Sequence, residues 1–166
     1  PRVERGAASD KLLFGIAEAS VLLAKGDVDA ARARVKETAK LNVQDPELMS
    51  LLGERAASVG EHELAYRAAN AAMISAPTVR RYRDALASVL LKRGDGRAVL
   101  AALDGIEDQG SWLLVTRARA ALLTGSREAL DKSKKALSAY RAVDEPNDSE
   151  VSALRVLTDL KLGGNP

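Results

Sequence analysis

Apolar positions recur along this chain at the three- and four-residue intervals of a helix, and no stretch alternates in the two-residue period of a strand. Residues 1–9 are polar, contain Gly6 and read as a linker. Leu12, Leu13, Ile16, Leu22 and Leu23 then mark a first helix from a cap at Asp10 to about Lys25, and a second is expected over 30–41. Asp45 as N-cap and Pro46 in the first turn, where its missing N–H costs nothing, open a third over 47–59. It ends at Gly60, where left-handed backbone is cheap. The fourth, 63–75, stops before Pro77, whose ring disfavours helix in the preceding residue. Thr78 is the expected cap of a fifth helix reaching Arg93, followed by a short sixth over 97–103 and a loop over 104–110. The seventh and eighth are expected over 112–124 and 127–143. After a turn at 144–148, Asn147 and Glu150 have capping-box spacing, and a ninth helix over 150–162 is stopped by Gly163-Gly164.

A longer rhythm overlies the helical one. Gly26, Gly60, Gly94 and Gly125 stand 34, 34 and 31 residues apart, and each is followed by a polar residue: Asp27, Glu61, Asp95, Ser126. A period in this range marks stacked helix hairpins. Seven residues before each glycine stand Ala19, Gly53, Ala87 and Ala118, small in all four cases. Five residues after the first three stand Ala31, Ala65 and Val99; Ala72 and Pro77 follow Gly60 by twelve and seventeen. Small residues at such places let two helices of a hairpin, and neighbouring hairpins, approach closely.

These small, turn and proline positions resemble those of the tetratricopeptide repeat, from about Lys11 to Val143. The match is best in the second repeat, from Pro46-Glu47-Leu48 to Pro77. The first has Val43 where the proline would stand, the third has a short second helix, and the fourth glycine comes three residues early. The resemblance implies an all-α, right-handed α–α superhelix of about four hairpins (10–45, 46–77, 78–109 and 110–143), a C-terminal capping helix over 144–162 and a tail over 163–166. A pentatricopeptide array, which reads RNA, has a similar period, but its tyrosine-asparagine pair early in the first helix is absent. A non-repetitive helical bundle is the alternative architecture.

Composition narrows the function classes. Of 166 residues, 46% are hydrophobic but only 3% aromatic, so the core must be built from Leu, Val, Ile and Ala. Charged residues reach 29% yet nearly cancel to +2, too little for a nucleic-acid-sized basic field, and aromatic residues for base stacking are missing. Without cysteine, disulfides and thiolate metal sites are excluded. No apolar run reaches the roughly 18 residues of a membrane span. A chain that begins Pro1-Arg2 reads as a fragment or processed product, so the compartment is left open between bacterial cytoplasm and periplasm.

Candidate chemistry is sparse. His62 is the sole histidine and is expected on the surface of a turn, with no nucleophile or acid at useful spacing. Asp144, Glu145, Asp148 and Glu150 lack calcium-loop spacing and read as turn and cap. Gly94-Asp95-Gly96 lacks the Lys-Ser/Thr of a phosphate loop. No enzyme activity, metal or cofactor is expected.

In a tetratricopeptide array the first helix of each pair lines a concave groove. Offsets from the glycines place Leu13, Ile16 and Ser20 there in the first repeat and Glu47, Ser50 and Glu54 in the second. The third supplies Arg81, Asp84, Ser88 and Lys92; the fourth, Trp112, Val115 and Arg119. An apolar end would grade into a polar middle and an aromatic-basic end, which suits a peptide carrying an acidic residue. The Lys and Asn that clamp a terminal carboxylate in chaperone-binding relatives are replaced by Ile16 and Ser20. The basic cluster Arg80, Arg81, Arg83, Lys92, Arg93 and Arg97 is expected to be a solvated face paired with Asp84 and Asp95, and Trp112 to fill a gap between hairpins unless it is an exposed binding anchor.

The expected function is a non-enzymatic protein–protein interaction scaffold taking a peptide or partner domain in the groove, without nucleic acid. The resemblance implies a module of a larger bacterial protein, of the kind that assembles envelope machinery for secretion or exopolysaccharide export. The alternative is a structural spacer or homo-oligomerisation module whose groove is filled by its own ninth helix or by a neighbour's.

Overall fold

The computed structural model describes residues 2–106, 110–140 and 149–163, with side chains from residue 6 on. Among them are nine helices and no strand: α1 (Arg2–Ala24), α2 (Val28–Thr38), α3 (Pro46–Ser58), α4 (His62–Ser75), α5 (Arg80–Lys92), α6 (Gly96–Ala102), α7 (Ser111–Thr124), α8 (Arg127–Ala139) and α9 (Ser149–Lys161). The chain is all-α, as its apolar spacing predicts.

Some helix ends differ from expectation. α1 begins at Arg2, so the expected linker is helical and Asp10 lies inside the helix instead of capping it. Nothing there breaks a helix: Val3, Glu4, Ala7 and Ala8 tolerate one, and a single Gly6 costs only about 1 kcal/mol against alanine. α2 stops at Thr38, and buried Val43 anchors the non-helical stretch leading to α3. Thr78 is not a cap: a turn closed by the Val79 N–H on the Ala76 carbonyl (3.1 Å) delays α5 to Arg80. α8 ends at Ala139, where Tyr140 is extended (φ −66°, ψ 121°). Residues 141–143 and Asn147 of the expected capping box lie outside the described residues.

The four spaced glycines all have positive φ: 82° at Gly26, 81° at Gly60, 76° at Gly94 and 63° at Gly125. At Gly26 its N–H donates to the Leu23 carbonyl and the next N–H, of Asp27, to that of Leu22, both at 3.0 Å. Gly60 repeats this with Ala57 (3.3 Å) and, through Glu61, with Ala56 (2.9 Å). That paired closure needs a left-handed residue, which is why glycine ends these helices. The following residue caps the next helix: Asp27, Asp95 and Ser126 accept from Ala30, Ala98 and Ala129 N–H groups at 3.1, 3.0 and 3.5 Å. Glu61 does not cap α4; its carboxylate pairs with Lys36 (3.0 Å) and Arg32 (3.5 Å).

The chain divides at Lys92 and Arg93 into two compact units. In unit 1, α1 packs on α2, α3 on α4 and α4 on α5, and α1–α3 and α3–α5 also touch. Helices joined by such short turns run antiparallel. Ala19, Gly53 and Ala87, the small residues seven before their glycines, are all buried, as are Ala31, Ala65 and Ala72. The reason is clearest at Gly53. A Cβ there would stand 3.0 Å from the Ala69 nitrogen and 3.1 Å from the Ala65 oxygen, so α3 rests directly on the backbone of α4.

In unit 2, α7 packs on α6, α8 and α9, and α8 on α9. Ala118, Leu137, Val151 and Leu154 form the buried centre, with Leu114, Val115, Leu122 and Tyr140 around it. Gly96 gives the closest approach, since a Cβ would lie 2.5 Å from the Ala120 oxygen of α7. The helices of this unit repeat one another. Leu113, Thr116 and Ala120 are buried on α7 as Val151, Leu154 and Thr158 are on α9. Arg117 of α7 donates to the Leu103 (2.9 Å) and Ile106 (2.8 Å) carbonyls beyond α6. Arg155 of α9 does the same at the end of α8, to Leu137 (2.8 Å) and Tyr140 (2.9 Å). Each arginine thereby satisfies carbonyls that a helix terminus leaves open.

Candidate functional site

Glu47 and Arg81 each stand thirteen residues before their turn glycine, in the first turns of α3 and α5. In unit 1 they meet: Arg81 Nη1 donates to Glu47 Oε1 at 3.2 Å, and Nη2 lies 3.2 Å from Oε2. Arg81 also donates through Nη2 to the Tyr82 hydroxyl (2.9 Å), and its guanidinium carbon lies 4.9 Å from the centre of the Tyr82 ring. The tyrosine hydroxyl first, then the Glu47 carboxylate, hold the Arg81 pKa above its ordinary value. Arg81 thus points at the α3–α5 surface as a fixed, exposed cation whose partner is also exposed.

Around this pair the candidates divide. Glu54 is exposed on α3 and Lys92 on α5, neither with an ion-pair partner among the described residues. Ser88 is half-buried. Asp84 pairs with Arg80 across one helical turn (3.5 Å), as the basic-cluster expectation has it, while its other carboxylate oxygen is shielded and has no hydrogen-bond partner. Burial raises the Asp84 pKa more than Arg80 lowers it. Asp95, the other acid expected to pair with that cluster, is spent on capping α6.

Two expected groove residues face inward. Ile16 is 6% exposed and belongs to the core with Leu12 and Ala19, and Ser50 is 7% exposed. Each sits at the edge of its helix's packing face, where a one-position offset decides between groove and core. Ser20 is half-buried and its hydroxyl donates to the Ile16 carbonyl (2.8 Å), within its own helix. Leu13 is half-exposed.

In unit 2 the candidates lie on α7. Trp112 is exposed in the first turn rather than filling a gap, because the residue after it, Leu113, takes the inward position. Val115 is half-buried against the Ala118–Leu137–Val151–Leu154 centre. Arg119 is bonded to Glu150 at the start of α9, so Glu150 ties two helices together. That tie was not legible in a residue read as a cap. Tyr82 was missed too; the signal available was its place directly after Arg81 at a position where α7 carries buried Leu113.

A cavity of about 880 Å³ lies elsewhere in unit 2, between Leu100 and Leu103 at α6, Leu114 and Arg117 on α7, and Ser133 and Tyr140 along α8. The helix on one side of it, α6, has only seven residues. Lys132 at its rim is bonded to Glu128 (2.8 Å), which lowers the Glu128 pKa and raises that of Lys132. His62 is exposed as the first residue of α4. Among the described residues no three His, Asp or Glu side chains converge as a metal site would require, and no helix is long and apolar enough to cross a membrane. Asp144, Glu145 and Asp148 lie outside the described residues. No protein-family model, curated protein or solved structure matches the chain.

Proposed function

We propose that the chain is a non-enzymatic scaffold for protein–protein contact, built as a tetratricopeptide-like right-handed superhelix. The first helices α1, α3 and α5 of unit 1 would present a groove to a peptide or partner domain. The observation that carries this reading is the Glu47–Arg81 bond. It joins residues 34 apart at the same repeat position of consecutive first helices, as side-by-side stacking of those helices requires. The positive φ of the four spaced glycines and the burial of the small residue seven before each support the same repeat.

The ligand that suits this face is an extended or helical peptide with an acidic side chain. That acid would exchange with Glu47 at Arg81, while Lys92 offers a second cation on the same helix. Arg81 is already oriented by Tyr82, so little ordering remains at binding. Trp112 and Arg119, both exposed on α7, are the further candidates in unit 2. As the resemblance implies, such a scaffold would serve as a module of a larger bacterial assembly protein.

Selection from a displayed random-peptide library against the immobilised chain tests this. Enriched peptides are expected to share an acidic position, and Arg81→Ala or Lys92→Ala to weaken the best of them by about three- to tenfold each. Failure to enrich any sequence family, or undiminished binding by a Glu54/Arg81/Lys92 triple-alanine variant, would count against the groove. One observation favours a second reading as an association element: α9 seats Val151, Leu154 and Thr158 but leaves Val156, Leu157 and Leu160 about half exposed.

A further inference from the structure

One stripe of α1 is uncovered. Asp10, Phe14, Ala17 and Val21 are all exposed and recur at four, three and four residues, so they share one face; exposed Lys25, just past the helix end, continues it. Phe14 is 62% and Val21 53% exposed. On α5 and α7 the corresponding face is filled, while on α3 its counterparts Leu48 and Arg55 are half-buried and Leu51 is 37% exposed. At the same offsets from their turn glycines as Phe14, Ala17 and Val21, α5 carries Tyr82, Ala85 and Val89, and α7 carries Leu113, Thr116 and Ala120; all six are buried. The stripe on α1 thus stands where α5 and α7 bury a packing face, and no described residue covers it.

The charges at its ends identify the occupant. Asp10 and Lys25 have no ion-pair partner among the described residues and stand fifteen residues apart, about 22 Å along a helix. We propose that α1 is the contact of a homodimer, two copies packing antiparallel about a two-fold axis between Ala17 and Glu18. In that register each Asp10 meets the partner's Lys25, and each Phe14 meets the partner's Val21. Ala17 at the axis is small enough to let the helices close on one another. Glu18, beside the axis, is already neutralised by Arg34 at 2.6 Å. A two-fold contact must complement itself, and an acid-to-base stripe read in reverse does so. A single pair of helices makes a small interface, so the dimer is weak, with a Kd on the order of 10–100 μM. This inference does not rest on the groove.

Sedimentation equilibrium of the whole chain from about 5 to 500 μM reads the outcome directly. A monomer–dimer equilibrium is expected that Asp10→Lys or Lys25→Glu alone weakens about tenfold at low salt, and that the double variant restores to within about threefold. Both positions are exposed, and far-UV circular dichroism confirms that each variant keeps its helices. A monomer at every concentration overturns the proposal, which is then the result expected if another helix or another protein fills the face. A dimer untouched by either single reversal, or one that the double variant fails to restore, overturns it as well.

Discussion

Asp84 carries an energetic cost that the rest of α5 does not. One of its oxygens is shielded without a hydrogen-bond partner and the other reaches Arg80 at only 3.5 Å, so burial outweighs the ion pair and the pKa rises. A carboxyl whose folded pKa is raised favours its neutral form. The associated stability is full below the unfolded value and is lost as pH climbs through the folded one. Asp84→Asn is therefore expected to raise Tm at pH 7, with the gain shrinking as pH falls towards about 4. Thermal melts followed by circular dichroism between those pH values check it; an asparagine variant less stable at pH 7, with no convergence in acid, would mean that the Arg80 pair dominates. Glu47 and Arg81 differ, because both are exposed and such pairs add little to stability. Glu47→Gln should leave Tm almost unchanged and strengthen capture of an acidic peptide, since nothing then competes for the guanidinium.

At the scale of elements, the helices are held by close backbone approach and by arginine caps. Gly53→Val must push α4 away from α3, because the atoms it meets are backbone, and a loss of about 3 kcal/mol is expected in urea denaturation. Gly60→Ala meets only the Arg32 guanidinium at 3.9 Å, an ordinary contact, but keeps φ at 81°, which costs about 1 kcal/mol through the backbone. The contrast between two glycines seven residues apart separates steric from conformational demand. Arg117→Met removes both donors from the Leu103 and Ile106 carbonyls, and a loss of about 1–3 kcal/mol is expected by the same measurement. Equal stability of that variant would show that water caps the α6 end as well as the guanidinium does.

At the scale of the molecule, what could be read from residue types is what backbone geometry demands. A left-handed turn residue and a helix-on-helix contact each admit few side chains, so Gly26, Gly60, Gly94, Gly53 and Ala118 carried their roles openly. Surface chemistry is under no such restriction. Ile16 and Ser50 differ from true surface positions by a small rotation about the helix axis, and only packing decides it. Arg81 was legible as a candidate, but its partners Glu47 and Tyr82 depend on how far three side chains reach between two helices and along one. The start of α1 was hidden because one glycine is weak evidence against a helix, and the cavity in unit 2 because it depends on how side chains of three helices pack.

The first helices of unit 1 form the proposed binding face. A titration of the isotope-labelled chain with the best library-selected acidic peptide, followed by amide and arginine side-chain NMR, tests it most directly. Shifts are expected to be confined to α3 and α5, led by Glu54, the Arg81 guanidinium and Lys92, with Glu47 released from its bond. Shifts gathered instead around Leu100, Leu114 and Ser133 in unit 2 would contradict it and place the binding site in the cavity there.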